Sequence, residues 1–151
     1  MTAPRPVVLW TALAAVLAAA VAEGGETTLH LTVPVEVAAR AARRSAGDAT
    51  TSPPILILEG VEVGDDEGLT ISVLGPAEPG SSGPVLAVTG LVGRPQTSPR
   101  APLRKMTLAV PLNDRAAKLL VGRSDVVLTL RVTNSPGRPA LKIDRAFFQD
   151  P

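Results

Sequence analysis

The sequence predicts a mainly β fold, built as an antiparallel β-sandwich or a partly open barrel of about seven strands with one short helix. Short aliphatic runs recur along the chain, and its 15 prolines and 13 glycines fall largely between them, which is typical of strands joined by turns. The hydrophobic content is 45%, but there is one Trp, no Tyr and two Phe. The core is therefore expected to be aliphatic, and 151 residues are enough for one such domain.

The amino terminus predicts an N-terminal hydrophobic leader helix. Residues 7–22 follow Arg5 and carry no charge, and they end in the small-x-small pattern Ala20-Val21-Ala22. This pattern is typical of a secretory signal peptide, here residues 1–22, and the segment is shorter than the roughly 20 residues that span a bilayer. The alternative is an uncleaved membrane anchor. We therefore expect an exported protein (secreted, periplasmic or lumenal) or an anchored one, with a linker at residues 23–28 and the domain at 29–151. If the chain is a fragment of a longer protein, the leader is fortuitous.

The strands are predicted from alternation and the helix from its cap signals. Residues 29–37 alternate strictly, which predicts a first strand, and Pro34 predicts an edge position because proline has no N–H to donate. Residues 38–54 are expected to form a loop, with a turn of helix at its start as the alternative for the first residues. Further strands are predicted at residues 55–63, with a bulge at Gly60, and at 69–74, 84–92, 106–112, 125–134 and 140–148. Asn113 is predicted to cap a short helix through residue 121, which Gly122 ends.

The side chains needed for most kinds of catalysis are scarce. The chain has no Cys and a single His, His30, and it lacks a Gly-x-Ser-x-Gly motif. Zinc and copper sites need several His or Cys ligands, and a Ser/His/Asp triad needs a suitably placed His. The sequence therefore predicts no catalytic, cofactor-binding or metal-binding residues and no cofactor.

Charge argues against nucleic acid as a partner. The formal net charge is +1, from 15 basic and 14 acidic residues, whereas nucleic-acid binding depends on a basic surface. The basic, proline-rich stretch at residues 93–105 has no aromatic residue for stacking on bases. We interpret it as a solvated loop, with a protein contact as the second interpretation.

Two groups of carboxylates leave an alternative open. Glu59 and Glu62 are expected on opposite faces of their strand, because side chains alternate with a period of two. Asp65, Asp66 and Glu67 could offer oxygens to calcium, but the full EF-hand loop pattern is missing. An acidic hairpin turn is the simpler interpretation, and an enzyme that uses carboxylates remains the alternative to a non-enzyme.

Phe147 and Phe148 are the only phenylalanines. Adjacent residues on a strand face opposite ways, so one is expected in the core and the other outside. The outer one is a candidate contact for a partner.

The stretch ILILEGVEV at residues 55–63 resembles the Val-Leu-Val-Ile-Glu-Gly-Ile-Glu-Val strand of the carboxy-terminal domain of plant-type polyphenol oxidases, the tyrosinases and catechol oxidases. Residues 33–45 resemble the first strand and basic run of that domain. Residues 89–96 and 141–148 are similar to later segments, although Gln96 stands where the family has His. The positions that carry the motif, each with a structural role, are Ile57, Glu59, Gly60, Val63 and Val73, where Val73 takes the last position of the Lys-Phe-Asp-Val signature.

The resemblance implies a β-sandwich that packs over a dicopper oxidase domain and shields the entrance to its active site. The copper ligands of that family are histidines of a separate helical domain, and none has a counterpart here. We therefore expect a non-catalytic accessory module whose partner is a dicopper oxidase domain or protein. The alternative is an independent extracellular or membrane-anchored module, with a binding or structural role and an unknown ligand.

Overall fold

A computed structural model describes residues 26–63, 69–91, 104–133 and 141–149. This part of the chain contains seven strands and two helices. In chain order they are β1 (Glu26–Thr32), α1 (Val35–Ser45), β2 (Ile55–Val63), β3 (Leu69–Leu74), β4 (Val85–Leu91), β5 (Arg104–Pro111), α2 (Asp114–Leu120), β6 (Asp125–Val132) and β7 (Arg145–Phe148). The mainly β prediction is confirmed, and the leader lies outside the described residues.

The strands form two antiparallel sheets. The four-stranded sheet has the order β1-β6-β3-β4, and the three-stranded sheet has the order β5-β2-β7. Buried and accessible residues alternate along β1, β6 and β7, so each of these strands turns one face to the protein interior and one face away from it.

A single hydrophobic cluster contains residues from both sheets and both helices. Among the described residues, its members are almost entirely aliphatic, and Phe148 is the one aromatic side chain. Thr27 is a buried polar residue whose hydroxyl donates a hydrogen bond of 3.1 Å to the carbonyl of Leu141, ahead of β7. This bond ties an edge strand of the four-stranded sheet to the segment that enters the other sheet.

The predicted strand over residues 29–37 is too long, and the predicted loop over 38–54 is wrong for residues 38–45, which are helical; residues 46–54 contain no helix or strand. β1 ends at Thr32, and α1 begins directly after Pro34. Proline suits the start of a helix because the first helical N–H groups have no partner within the helix. Val37 and Ala41 are buried at helical spacing, which anchors α1 in the core. The alternation of residues 33–37 therefore belongs to the start of a helix.

The charges along α1 complement its dipole. Glu36 lies in the first turn, and Arg43 and Arg44 lie in the last, where each sign is favourable. The described part of the chain therefore has two helices, α1 as well as the predicted short one. β1 also begins at Glu26, so part of the predicted linker at residues 23–28 belongs to the sheet.

The second helix is the predicted one. Asn113 is its N-cap, and its side-chain oxygen accepts hydrogen bonds from the backbone N–H of Arg115 and of Ala116. β2 and β3 have the predicted bounds, whereas β7 starts at Arg145 instead of residue 140. Neither helix in the described ranges is long and apolar enough to cross a membrane.

Candidate functional site

The predicted bulge in β2 is confirmed and lies at Gly60. The register of β2 against β5 shifts between Leu58 and Val61, and Gly60 has a φ of 67°. A Cβ at this position would lie within 2.6 Å of the Asp144 Cβ and closer still to its carboxylate. Both the backbone conformation and the close approach of Asp144 therefore favour glycine.

The bulge places Glu59 and Glu62 on the same face. Leu58 and Val61 are both fully buried, so the residue inserted between them shifts the alternation by one. Glu59 lies opposite Arg145 on β7, and Glu62 lies opposite Lys105 on β5. The prediction that the two glutamates face opposite ways is wrong because it assumes an uninterrupted strand.

Three ion pairs follow from this arrangement. They join Glu59 to Arg145 at 4.0 Å, Glu62 to Lys142 at 3.8 Å and Asp144 to Lys105 at 2.9 Å. The Asp144 carboxylate, which accepts hydrogen bonds from the Lys105 ammonium, raises the pKa of Lys105. All three pairs are accessible to solvent, so each contributes little to stability.

Backbone hydrogen bonds hold this charged group at the bulge. The N–H of Glu62 donates to the carbonyl of Lys142 at 3.1 Å, and the N–H of Asp144 donates to the carbonyl of Glu59 at 3.0 Å. The segment before β7 therefore follows the bulge of β2. This places the side chains of Lys142 and Asp144 beside the two glutamates.

Next to the charges lies an apolar patch, which we call the docking face. It consists of Ile55, Ile57, Ala109, Pro111 and Phe147. Ile57 is paired with Ala109 on one side and with Phe147 on the other, and Ile55 is paired with Pro111. These side chains are half-buried or exposed, in contrast to Leu56 and Leu58 on the inner face of β2.

Phe147 lies at the β7 side of the docking face. The Arg145 guanidinium carbon lies 4.6 Å from the centre of its ring, which is cation–π geometry. Phe148 is 3% exposed and belongs to the core. The expectation that one phenylalanine lies in the core and the other outside it is therefore confirmed, since Phe147 is half-buried on the outer face.

The remaining positions of the family-like motif, Val73 and Val63, lie within strands. Val73 is fully buried in β3, and Val63 is paired with Arg104 at the end of β2. Ile57 and Phe147, which the sequence suggested for separate reasons, are direct neighbours in the sheet.

His30 lies in the four-stranded sheet. It is exposed on β1 opposite Val127, beside a shallow depression of about 190 Å³ on the β1–β6 pair. Among the residues that the structure describes, no group of three or more His, Cys, Asp or Glu side chains could hold a metal ion. The acidic turn at residues 65–67 and most of the basic loop at 93–105 lie outside the described residues.

The docking face has the composition of a protein contact. An apolar centre beside charges of both signs matches the anatomy of protein interfaces, where a hydrophobic core has a polar rim. Sequence reasoning missed Ala109 and Pro111, because their position depends on the pairing of β5 with β2. The signal that could have placed the glutamates together was Gly60, since an extra residue in a strand reverses the alternation after it.

No protein-family model matches the chain, and no curated protein matches it.

Proposed function

We propose that this protein is an exported, non-catalytic β-sandwich that acts by binding another protein through its docking face. The partner is a dicopper oxidase of the tyrosinase or catechol oxidase type, and the chain acts as its accessory or shielding module. The identity of the partner rests on the resemblance of residues 55–63 to the carboxy-terminal domain of those enzymes.

The sandwich arrangement is supported by the shared core. The inward residues of the two sheets belong to one hydrophobic cluster, and the Thr27 to Leu141 hydrogen bond links the segments around β1 and β7. Two sheets that face each other across such a core bury their inner faces and leave their outer faces for contacts. The outer face of the three-stranded sheet is the docking face with its charged border.

The pairing of Ile57 with Phe147 is the observation that carries the proposal. A two-residue apolar centre on the outer side of a sheet is not needed for the core, which lies on the other side. Aromatic residues are enriched at the centres of interfaces, where burial against a partner excludes water. The adjacent charges of both signs would set the orientation of the partner.

Shielding is the mechanism that fits these side chains. Among the described residues, no group of three or more His, Cys, Asp or Glu side chains could hold a metal ion. A rigid sheet that covers the mouth of a copper site would block substrates without chemistry of its own. Removal or displacement of the module would then restore access.

Co-expression with a dicopper oxidase from the same genome tests the proposal. We expect the chain to co-purify with the oxidase and to suppress its oxidation of catechol. The variants Phe147→Lys and Ala109→Lys place a charge within the docking face, and each is expected to weaken binding about tenfold or more. Both are expected to release oxidase activity.

Val127→Lys is the matched control, because Val127 is an exposed valine on the other sheet. It should leave binding and suppression unchanged. Equal suppression by all three variants would rule out the docking face, and failure of the wild-type chain to bind any dicopper oxidase would rule out the partner. In that case the independent extracellular or anchored module becomes the interpretation to test.

A further inference from the structure

The four-stranded sheet ends in β4, a strand with an uncharged edge. β4 has the sequence VLAVTGL and pairs with β3 alone among the described strands. Val85 and Val88 on this strand are 43% and 61% exposed. Edge strands with these properties are templates for pairing with another strand, and proteins commonly protect them with charge or proline.

The direction of the free backbone groups follows from one hydrogen bond. The N–H of Thr133, after β6, donates to the carbonyl of Thr70 at 2.9 Å, so Thr70 directs its backbone groups away from β4. Neighbouring residues of a strand point their N–H and C=O groups to opposite sides, so those of Ile71 point toward β4. Thr89 is the partner of Ile71, so its N–H and C=O groups point toward β3.

Val88 and Gly90 therefore direct their backbone groups outward. The backbone groups of Leu86 also point away from β3, because its carbonyl accepts a hydrogen bond from the N–H of Asn113 at 2.9 Å. Asn113 thus covers the beginning of the edge, and the Asn113 side chain also donates to the Val85 carbonyl at 2.9 Å. The outward groups of Val88 and Gly90 have no partner among the described residues.

These two residues fit one register of self-pairing. An antiparallel pair centred on Thr89 places Val88 opposite Gly90 of a second copy, and Gly90 opposite Val88 of that copy. Both are hydrogen-bonded pairs, so the outward N–H and C=O groups of Val88 and Gly90 find partners in the other copy. The pairing does not use Leu86, whose carbonyl already accepts the N–H of Asn113. The twofold axis passes between the two Thr89 residues.

Side chains agree with this register. Val88 is more exposed than Val85 on the same strand, and Gly90 has no atom within 4 Å of the position of an added Cβ. In the pair, each Val88 side chain covers the bare Gly90 of the other copy. Contact of a branched side chain with the open space at a glycine buries apolar surface on both chains.

The other edges are less suited to self-pairing. β1 carries Glu26, β5 carries Arg104 and Lys105, and the four-residue β7 carries Arg145. β4 has no charged residue. A symmetric pair of β4 edges therefore brings no like charges together.

We propose that β4 is a self-association edge, which pairs with β4 of a second copy about Thr89 and joins two four-stranded sheets into one of eight strands. The contact is independent of the docking face, which lies on the other sheet. It is short, so the dimer is expected to form and dissociate with concentration.

Cysteine cross-linking tests the register, because the chain has no Cys of its own. In a non-hydrogen-bonded antiparallel pair the Cα atoms lie about 4.5 Å apart, within the range of about 4.4–6.8 Å for disulfides. The full chain carrying Thr89→Cys is expected to form a disulfide-linked dimer under mild oxidation. Val88→Cys is expected to cross-link much less, because the two Val88 residues lie diagonally across the pair.

Val127→Cys, on the central strand β6 of the same sheet, is the matched control and is expected to remain monomeric on a non-reducing gel. Adding Val88→Lys to Thr89→Cys should abolish the cross-link, and adding Val127→Lys should leave it. Dominant cross-linking through Val88→Cys, or equal cross-linking of all three positions, would overturn the proposal.

Sedimentation of the chain without cysteine gives a second measurement that does not depend on the folding of the cysteine variants. The apparent mass is expected to double as concentration rises, and Val88→Lys is expected to abolish that doubling. A constant monomer mass together with no Thr89→Cys cross-link would refute self-association through β4.

Discussion

At Gly60 the backbone φ of 67° and the nearby Asp144 side chain oppose any Cβ. Gly60→Ala must strain the backbone and displace the Asp144 carboxylate from Lys105. We expect the substitution to lower the free energy of unfolding by about 1–3 kcal/mol. Chemical denaturation followed by circular dichroism measures the loss.

Two other glycines separate the effect of the positive φ from that of the close contact with Asp144. Gly122 also has a φ of 67° but no atom within 4 Å of an added Cβ, and Gly90 has open space without a positive φ. Gly122→Ala should therefore show the backbone strain alone. Gly90→Ala should be neutral or slightly stabilising, because alanine loses less entropy on folding. A Gly60→Ala effect no larger than that of Gly90→Ala would contradict this account of the bulge.

Asp48 gives a prediction about pH in the loop after α1. Its carboxylate accepts hydrogen bonds from the backbone N–H and hydroxyl of Thr50 and from the hydroxyl of Thr51, and these bonds lower the pKa of Asp48. Because the folded-state pKa lies below the unfolded value, the turn contributes its stability above the unfolded pKa of about 3.9. That contribution is lost as pH falls through the folded pKa.

The double variant Thr50→Val, Thr51→Val removes both hydroxyl donors. We expect the pKa of Asp48 to rise toward the ordinary aspartate range, and a carboxyl titration by NMR measures the change. Thr32→Val, a substitution at an exposed position of β1, serves as the control. An Asp48 pKa that is equally low in the double variant would show that the threonines are not the cause.

At the scale of single elements, Asn113 connects α2 to the sheet. Its side chain caps the helix by accepting from two backbone N–H groups and donates to the Val85 carbonyl on β4. Asn113→Ala should cost about 1–2 kcal/mol of stability, because the cap bonds are lost. Thermal or chemical unfolding measures the cost.

Asn113→Asp distinguishes the two contacts of this side chain. Aspartate retains the acceptor for the helix but has no donor for the Val85 carbonyl. Its effect should therefore be smaller than that of alanine. If aspartate destabilises the protein as much as alanine does, the bond to β4 matters more than the cap.

The elements also show what the sequence could establish. The bounds of β2 and β3 were predictable because aliphatic runs end at Gly and Pro residues, and α2 was predictable from its Asn cap. α1 was not predictable, because its beginning fits two patterns. Val33, Val35 and Val37 alternate as in a strand, whereas Val37 and Ala41 have the spacing of one helix face. Five residues do not separate the two periods. Pro34 was the stronger signal, since proline is common at the start of a helix.

The docking face shows the same limit for the candidate site. Ile57 and Phe147 could be singled out from the sequence, but their contact depends on which strands are neighbours. Strand order is fixed by the packing of both sheets on a common core, which no local pattern contains. The same holds for the ion pairs around Glu59 and Glu62.

At the scale of the whole molecule, the two phenylalanines separate stability from binding. Phe148 fills the aliphatic core at 3% exposure, so Phe148→Ala should cost about 3–5 kcal/mol. Phe147 lies on the outer face, and Phe147→Ala should cost no more than about 1–2 kcal/mol, from lost apolar contact and the Arg145 interaction. Unfolding curves of the two variants give the comparison.

In binding measurements, Phe147→Ala should have the larger effect and Phe148→Ala the smaller. Phe147→Ala is expected to weaken association with the proposed oxidase at temperatures where both variants are folded. Phe148→Ala should bind as the wild type does while it stays folded. Equal stability losses at the two positions would mean that Phe147 is part of the core and not of an interface.

The extra residue in β2 also protects the sheet against misfolding by slippage. When a strand without a bulge slides along its neighbour by two residues, the same set of side chains still faces the core. Such shifted pairings lead to swapped or stacked assemblies. The two halves of β2 are out of phase, so a slide that suits Leu56 and Leu58 brings the bulge opposite a regular stretch of β5. The strand has one alignment in which Leu56, Leu58 and Val61 are all internal, and this favours a unique assembled state over a ladder of near-equivalent ones.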